Sequence, residues 1–173
     1  HSFSDDGSTF HAPYGQRLRR HFSRMVVADS KTHHWLEPVD QIAEVIALLS
    51  KEPDTRRAVM CIWDPAEDLN VQSKDLPCND LIMMGLNDGV LDMEVVCRSN
   101  DVIWGAYGAN VVQFSMLQEF IAAAVGVEVG VYRQVSDSFH VYTDQEAWKL
   151  ILANKDYPID PYIDAGITHY PLM

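Results

Sequence analysis

Cys78 lies in the run Asp75-Leu76-Pro77-Cys78-Asn79-Asp80, and Arg98 opens Arg98-Ser99-Asn100-Asp101 twenty positions later. A cysteine sulfur becomes a soft nucleophile once it is a thiolate, and a guanidinium beside it favours that anion over the thiol. The same guanidinium can grip a phosphate. Alone, Cys78 reads as a small buried hydrophobe, as most free cysteines do. Its pairing with Arg98 depends on whether the chain brings the two positions together.

The elements between them predict that it does. An apolar run over Leu81–Leu86 leads into Asn87-Asp88-Gly89, after which Leu91, Met93, Val95 and Cys97 alternate with Asp92 and Glu94. Asp-Gly between apolar runs is a hairpin signal, and the alternation puts the four apolar residues on one face. Cys78 is then expected just before the first strand and Arg98 just after the second, at the same end of an antiparallel pair. Residues 38–50 read as a helix that Pro38 starts, with Val39, Ile42, Ile46 and Leu49 at helical spacing. Ala58–Trp63 reads as a buried strand ended by Asp64-Pro65, and residues 64–77 as loop. A second helix is expected over 109–125, with Val111, Phe114, Leu117, Ile121 and Ala124 on one stripe and Gly126 after it. Residues 127–135 and 138–142 read as two further strands, the second holding His140 and Tyr142 on one side. A third helix starts near Asp144, residues 1–13 form an arm or loop, and residues 157–173 form an irregular tail.

Composition narrows the class. At 173 residues and 47% hydrophobic content the chain fits one globular domain with a sizeable core. Its 25 acids against 13 bases give a net charge of -12, which argues against nucleic-acid or membrane-surface binding. A small anion held by a local arginine cluster is compatible with that field. Cys61, Cys78 and Cys97 show neither zinc spacing nor a disulfide framework, so no metal is expected and a reducing, cytoplasmic setting is. No apolar run approaches the ~20 residues of a membrane span, and no signal peptide is visible. His33-His34 has no partner pattern and reads as a surface loop. The opening residue is His1 rather than Met, which points to a fragment or a processed product.

Several short motifs, taken in order, resemble the thymidylate synthase and pyrimidine hydroxymethylase family. They are Pro-Tyr-Gly-Gln-Arg-Leu-Arg (13–19), Pro-Asp-Thr-Arg-Arg (53–57), Leu-Pro-Cys (76–78), Arg-Ser-Asn-Asp with Trp-Gly (98–105), Asn110 at a helix start, and His-Val-Tyr (140–142). The resemblance implies an α/β fold, a mixed twisted sheet with helices on one face and a homodimer packed through the other. It implies one-carbon transfer from 5,10-methylenetetrahydrofolate to C5 of a uridine nucleotide monophosphate, dUMP to dTMP. Cys78 matches the nucleophile that adds to C6, and Arg98 and Ser99 match phosphate ligands. Arg56 and Arg57 match arginines that reach the partner's phosphate in trans. Asn110 matches the reader of the base O4/N3 edge, His140 and Tyr142 the pair on the sugar hydroxyl, Asp101 a pterin carboxylate, and Tyr14 an aid to proton removal from C5. An amide both donates and accepts, as uracil requires.

The chain departs from the family pattern at defined places. Asn79 replaces the histidine that follows the nucleophile and orders water near O4, which leaves hydroxymethylation open as the outcome. Gly105–Asn110 differs from Gly-Leu-Pro-Phe-Asn, and Ser136–His140 differs from Gly-Asp-x-His. The family's catalytic glutamate precedes the Pro-Tyr-Gly motif, and residues 1–12 cannot supply it. The expectation is a single catalytic domain over 1–173, lacking part of the family's N- and C-terminal segments. Structural readings compete at each site: Asn110 as a helix N-cap, His140 as a satisfied strand histidine, Arg56-Arg57 as a solvated pair, and Cys61 and Cys97 as structural. Other classes are a non-catalytic nucleotide-binding paralogue and a cysteine hydrolase using Cys78 with His140. A zinc deaminase is rejected because Leu81 stands where its second cysteine belongs.

Overall fold

The computed structural model describes residues 4–29 and 33–153, with backbone alone for 27–29 and 33–35. Two compact units divide after His140. In the first, a four-stranded sheet has the order β3-β4-β5-β6, with β3 at Val59–Cys61, β4 at Asn79–Asn87, β5 at Val90–Asp101 and β6 at Glu128–His140. The first two pairings are antiparallel and β5–β6 is parallel, so the sheet is mixed as expected. A smaller two-stranded sheet, β1 (Ser23–Asp29) with β2 (His33–Pro38), was not anticipated. His33 and His34 therefore sit in a strand and not in a surface loop.

The expected hairpin forms. Asp88 and Gly89 take positive φ values of 50° and 83°, the pairing a tight two-residue turn needs. Leu91, Met93, Val95 and Cys97 are all buried on one face. Arg98 is not beyond β5 but within it, because the strand continues to Asp101.

Helices cover that face. Helix α2 spans Gln41–Lys51, and Asp40 caps it by accepting from the Ala43 N–H at 3.2 Å, so the start lies later than Pro38. The cap fixes the boundary because its side chain satisfies an N–H that the helix leaves unpaired. Helix α4 spans Ala109–Val125 and ends at Gly126, whose φ of 84° suits a left-handed cap. Its buried side chains are Phe114, Gln118, Ile121 and Ala122; Ala124, placed on the stripe by its spacing, is exposed. Two short helices complete this unit, α1 at Tyr14–Gln16, which runs into a wide π-turn over Arg17–His21, and α3 at Pro65–Asp68 inside the segment read as loop. The core joins Leu49, Met60, Ile62, Ile82, Met93, Val95, Phe114 and Ile121.

Residues 127–140 make one strand, not two. The parallel β5–β6 pairing spans the whole segment and leaves no break near Ser136. His140 ends it, so the strand that would have put Tyr142 on the same side does not exist. Tyr142 belongs to the second unit, whose described part holds helix α5 (Glu146–Ala153). The tail from 157 lies outside the described residues.

The arm at residues 4–13 has no helix or strand but is tied down. Asp5 accepts from Ser73 Oγ at 2.6 Å, Asp75 accepts from the Ala12 N–H at 2.9 Å, and His11 meets Asp68 at 2.8 Å.

Candidate functional site

Cys78 precedes β4 directly. A register shift at Asp80 sets Asn79 opposite Cys97 while Leu81 faces Val96, a β-bulge of the kind that re-aims side chains beside active sites. The Asp80 carbonyl accepts from Ile62 N at 2.8 Å and Trp63 N at 3.0 Å, which fixes the bulge to the end of β3.

Arg98 reaches back to the cysteine loop. Its Nε donates to the Pro77 carbonyl at 2.8 Å and Nη2 to the Leu76 carbonyl at 3.5 Å, and the guanidinium lies 5.2 Å from the Trp63 ring centroid. The hairpin thus brings Cys78 and Arg98 together at one end of the sheet. Burial pushes the Cys78 thiol above its ordinary value, and the Arg98 charge and a Ser99 hydrogen bond pull it partway back. The resting sulfur is a thiol, and a shift toward thiolate needs the deprotonating influence of those two groups.

Tyr14 stands over the same loop, its ring stacked on Phe114 at 5.8 Å. Its hydroxyl accepts from the Cys78 N–H at 3.3 Å and from Asn79 Nδ2 at 2.9 Å. Asn79 is fully buried, and its Oδ1 takes the Cys97 thiol at 2.9 Å. Cys97 therefore does more than pack, a role its apolar strand context concealed.

Tyr14 is carried by a buried ion pair. Arg17, in the π-turn, donates to both Asp68 oxygens at 2.8 and 3.1 Å, and their side chains are 1% and 0% exposed. Next to it, His21, Asp64 and Glu67 bring possible ligand atoms within 4.8 Å of one another. The His21 nitrogen that faces these carboxylates is Nε2, 2.8 Å from Asp64 and 3.8 Å from Glu67, and Arg17 Nη1 lies 3.2 Å from it, so a cation already occupies the side a metal would need.

At the far end of β5, one Asp101 oxygen caps the π-turn Val102–Ala106 by accepting from Ile103 and Trp104 N–H at 3.1 and 2.7 Å. Its other oxygen is buried with no partner among the described residues. Trp104 on that turn and Tyr107 just after it are exposed. Asn110 is the second residue of α4 and Gly108 holds the cap position, so the N-cap reading of Asn110 falls. Buried Gly105 separates it from Asn100: an added Cβ would lie 3.7 Å from Asn110 Nδ2 and collide with Asn100 Oδ1. Asn100 itself donates to Ser136 Oγ at 2.8 Å and Gln134 Oε1 at 3.3 Å.

The remaining expected residues are more scattered. His140 Nδ1 pairs with the Ser138 carbonyl at 3.0 Å. Arg56 and Arg57 are exposed in the loop before β3, and Arg57 meets Glu52 at 2.6 Å. Cys61, expected to be structural, is exposed on the sheet face opposite the helices. That face also exposes Val59, Met83, Val131 and Val135.

Comparison with known proteins shows the family of the chain. A family model described as thymidylate synthase matches residues 1–162. Deoxyuridylate hydroxymethyltransferase of Pseudomonas phage M6 is 45% identical over 188 residues, covering 99% of this chain and 47% of that protein. Its counterpart of the same name in Bacillus phage SP01 is 46% identical over 149 residues, covering 86% and 38%. A Methanosarcina acetivorans protein provisionally named thymidylate synthase is 38% identical over 138 residues, covering 80% and 56%. The chain spans about half the length of the curated relatives it matches.

Proposed function

Because the chain belongs to the thymidylate synthase family, we propose that it transfers a one-carbon unit to C5 of a uridine nucleotide through a covalent adduct on Cys78. The convergence of Cys78, Arg98, Ser99 and Tyr14 at one end of the β4–β5 hairpin carries this reading. Cys78 Sγ adds to C6, and C5 gains the electron pair with which it bonds the incoming carbon. Loss of the C5 proton then breaks the bond from that carbon to the folate nitrogen, tetrahydrofolate departs and an exocyclic methylene is left; a nucleophile adds to it, and expulsion of the thiolate restores the ring double bond. Arg98 and Ser99 hold the phosphate, Asn110 reads the base edge, and His140 binds the sugar. Phosphate binding would draw the Arg98 fork away from the Pro77 carbonyl or share it, since guanidinium has five donors.

The co-substrate in this reading is 5,10-methylenetetrahydrofolate, which supplies carbon at the oxidation level of formaldehyde. The unpartnered Asp101 oxygen, beside the exposed Trp104 and Tyr107, offers a buried acceptor and aromatic surface suited to a pterin. A homodimer is supported by the apolar sheet face opposite the helices. In that dimer Arg56 and Arg57, exposed beside edge strand β3, act across the interface. No helix among the described residues is long and apolar enough to cross a membrane, and three free cysteines suit a reducing cytoplasm.

Two fates of the exocyclic carbon fit this machinery. Asn110 reports the base and says nothing about the nucleophile that finishes the reaction, so the expectation of dTMP rests on the base alone. Two observations favour water as that nucleophile: the buried Asn79 in place of a histidine, and the names of the relatives from phages M6 and SP01. Incubation with [5-³H]dUMP and methylenetetrahydrofolate tests both levels. Tritium release with a 5-hydroxymethyl product and no dihydrofolate is expected; dihydrofolate with dTMP would establish methylation instead. Tight dUMP binding without tritium release would leave a non-catalytic binding protein.

A further inference from the structure

Resting on the Cys78 chemistry above, we propose that Cys97 is a positioning residue which, through the Asn79 carboxamide, commits the Tyr14 hydroxyl to donate its proton toward the substrate. Three contacts build the relay: Cys97 Sγ to Asn79 Oδ1 at 2.9 Å, Asn79 Nδ2 to Tyr14 Oη at 2.9 Å, and Cys78 N to Tyr14 Oη at 3.3 Å. The β-bulge at Asp80 makes the first possible by setting Asn79 and Cys97 face to face. Both are buried, at 0% and 1% exposure, so water does not compete for these groups.

The direction of the relay follows from what each group can do. A thiol is a weak donor and a weaker acceptor, so the carboxamide turns its oxygen to sulfur and its NH₂ to Tyr14. Burial raises the Cys97 thiol to about 11, so the proton stays on sulfur at neutral pH. The phenol oxygen has two acceptor positions, and two N–H groups take both. What remains at Tyr14 is its O–H. A phenol locked this way cannot accept the C5 proton. It can hold a water through that water's oxygen, or stabilise negative charge on the base. It presents such a donor close to the nucleophile's own backbone, where the adduct forms.

Replacing Cys97 separates this from a packing role. Cys97→Ser keeps a donor at nearly the same place; Cys97→Ala removes it and lets the carboxamide rotate. Rotated, Asn79 accepts from Tyr14 and draws the proton out of the site. Expected for Cys97→Ala is a kcat about ten- to a hundredfold lower with KM for dUMP unchanged, and recovery to within a few-fold in Cys97→Ser. Tyrosine labelled with ¹³C at Cζ, assigned by Tyr14→Phe, should shift its Tyr14 resonance in Cys97→Ala and not in Cys97→Ser. That spectrum needs no turnover, so it tests the relay even if wild type fails to release tritium from dUMP. Asn79→Asp, which can only accept, should reproduce the Cys97→Ala shift and guards against an alanine variant that does not fold. Equal behaviour of Cys97→Ala and Cys97→Ser in both measurements overturns the proposal.

Discussion

Asp68→Asn is the sharpest test of how the site is held. The replacement keeps the shape of the side chain and removes its charge. Arg17 then remains 1% exposed beside a neutral amide. Breaking one half of a buried ion pair destabilises a protein by about 3–5 kcal/mol, because the surviving charge has lost its partner. A domain of this size is stable by only about 5–15 kcal/mol. With a urea m-value of about 2 kcal/mol/M, the midpoint should fall by about 2 M. The double replacement Arg17→Met/Asp68→Leu removes both charges but leaves the Asp64 N–H without its acceptor, and should lie about 1–3 kcal/mol below wild type, less than the single variant's loss. A midpoint shift below about 0.5 M in the single variant, or an equal loss in the double one, would refute the argument from an uncompensated charge. The pH dependence supplies a third check. Burial alone would raise the Asp68 pKa, but the Asp64 N–H, His11 and Arg17 outweigh it and hold it below the ordinary carboxylate value. A folded pKa below the unfolded one adds stability above the unfolded value of about 3.9, and that stability fades as pH falls through the folded pKa. Wild type should show this acid slope, and Asp68→Asn should lack that part of it.

Other perturbations bear on the chemistry and the frame. Because burial holds the Cys78 thiol above its ordinary value while Arg98 lowers it, alkylation by iodoacetamide should rise with pH along a limb above that of a free cysteine, and Arg98→Met should move the limb higher still. Gly105→Ala would drive a methyl against Asn100, whose Cγ lies 3.2 Å from the new carbon and whose amide is pinned to Ser136 and Gln134. Overpacking of that kind costs about 1–3 kcal/mol, and KM for the nucleotide should rise as Asn110 shifts; calorimetry and steady-state kinetics read the two effects. Asp40→Ala removes the α2 cap and should cost about 1 kcal/mol in urea denaturation, with kcat unchanged.

The hairpin was legible because its signals are local: a turn pair that accepts positive φ, and strict alternation on the strand that follows. The pairing of Cys78 with Arg98 followed from it. The end of β5 was misjudged because residues 98–101 are polar, and it is the parallel partner β6 that keeps them in the sheet. The same long-range pairing fused two expected strands into one and stranded Tyr142 outside them. The start of α2 was set by Asp40, a cap that competes with Pro38 as a starting signal. Arg17 and Cys97 were missed for opposite reasons. Arg17 sits in a polar, basic stretch far in sequence from Asp68, and only their distance in space reveals a buried pair. Cys97 sits in an apolar run, and only a one-residue bulge exposes its polar partner.

Strand β5 is one continuous element of which one end is core and the other is site. Leu91, Met93 and Val95 are sealed under the helices, and Cys97 to Asp101 follow without interruption, paired on one flank along their length. Amide hydrogens along this strand should therefore exchange with solvent as one cooperative unit, at the free energy of global unfolding rather than by local opening. Core substitutions will then lower the number of working molecules without altering those that remain. A weakened core should show itself as fewer nucleotide-binding sites per mole of protein, with unchanged affinity in the folded fraction.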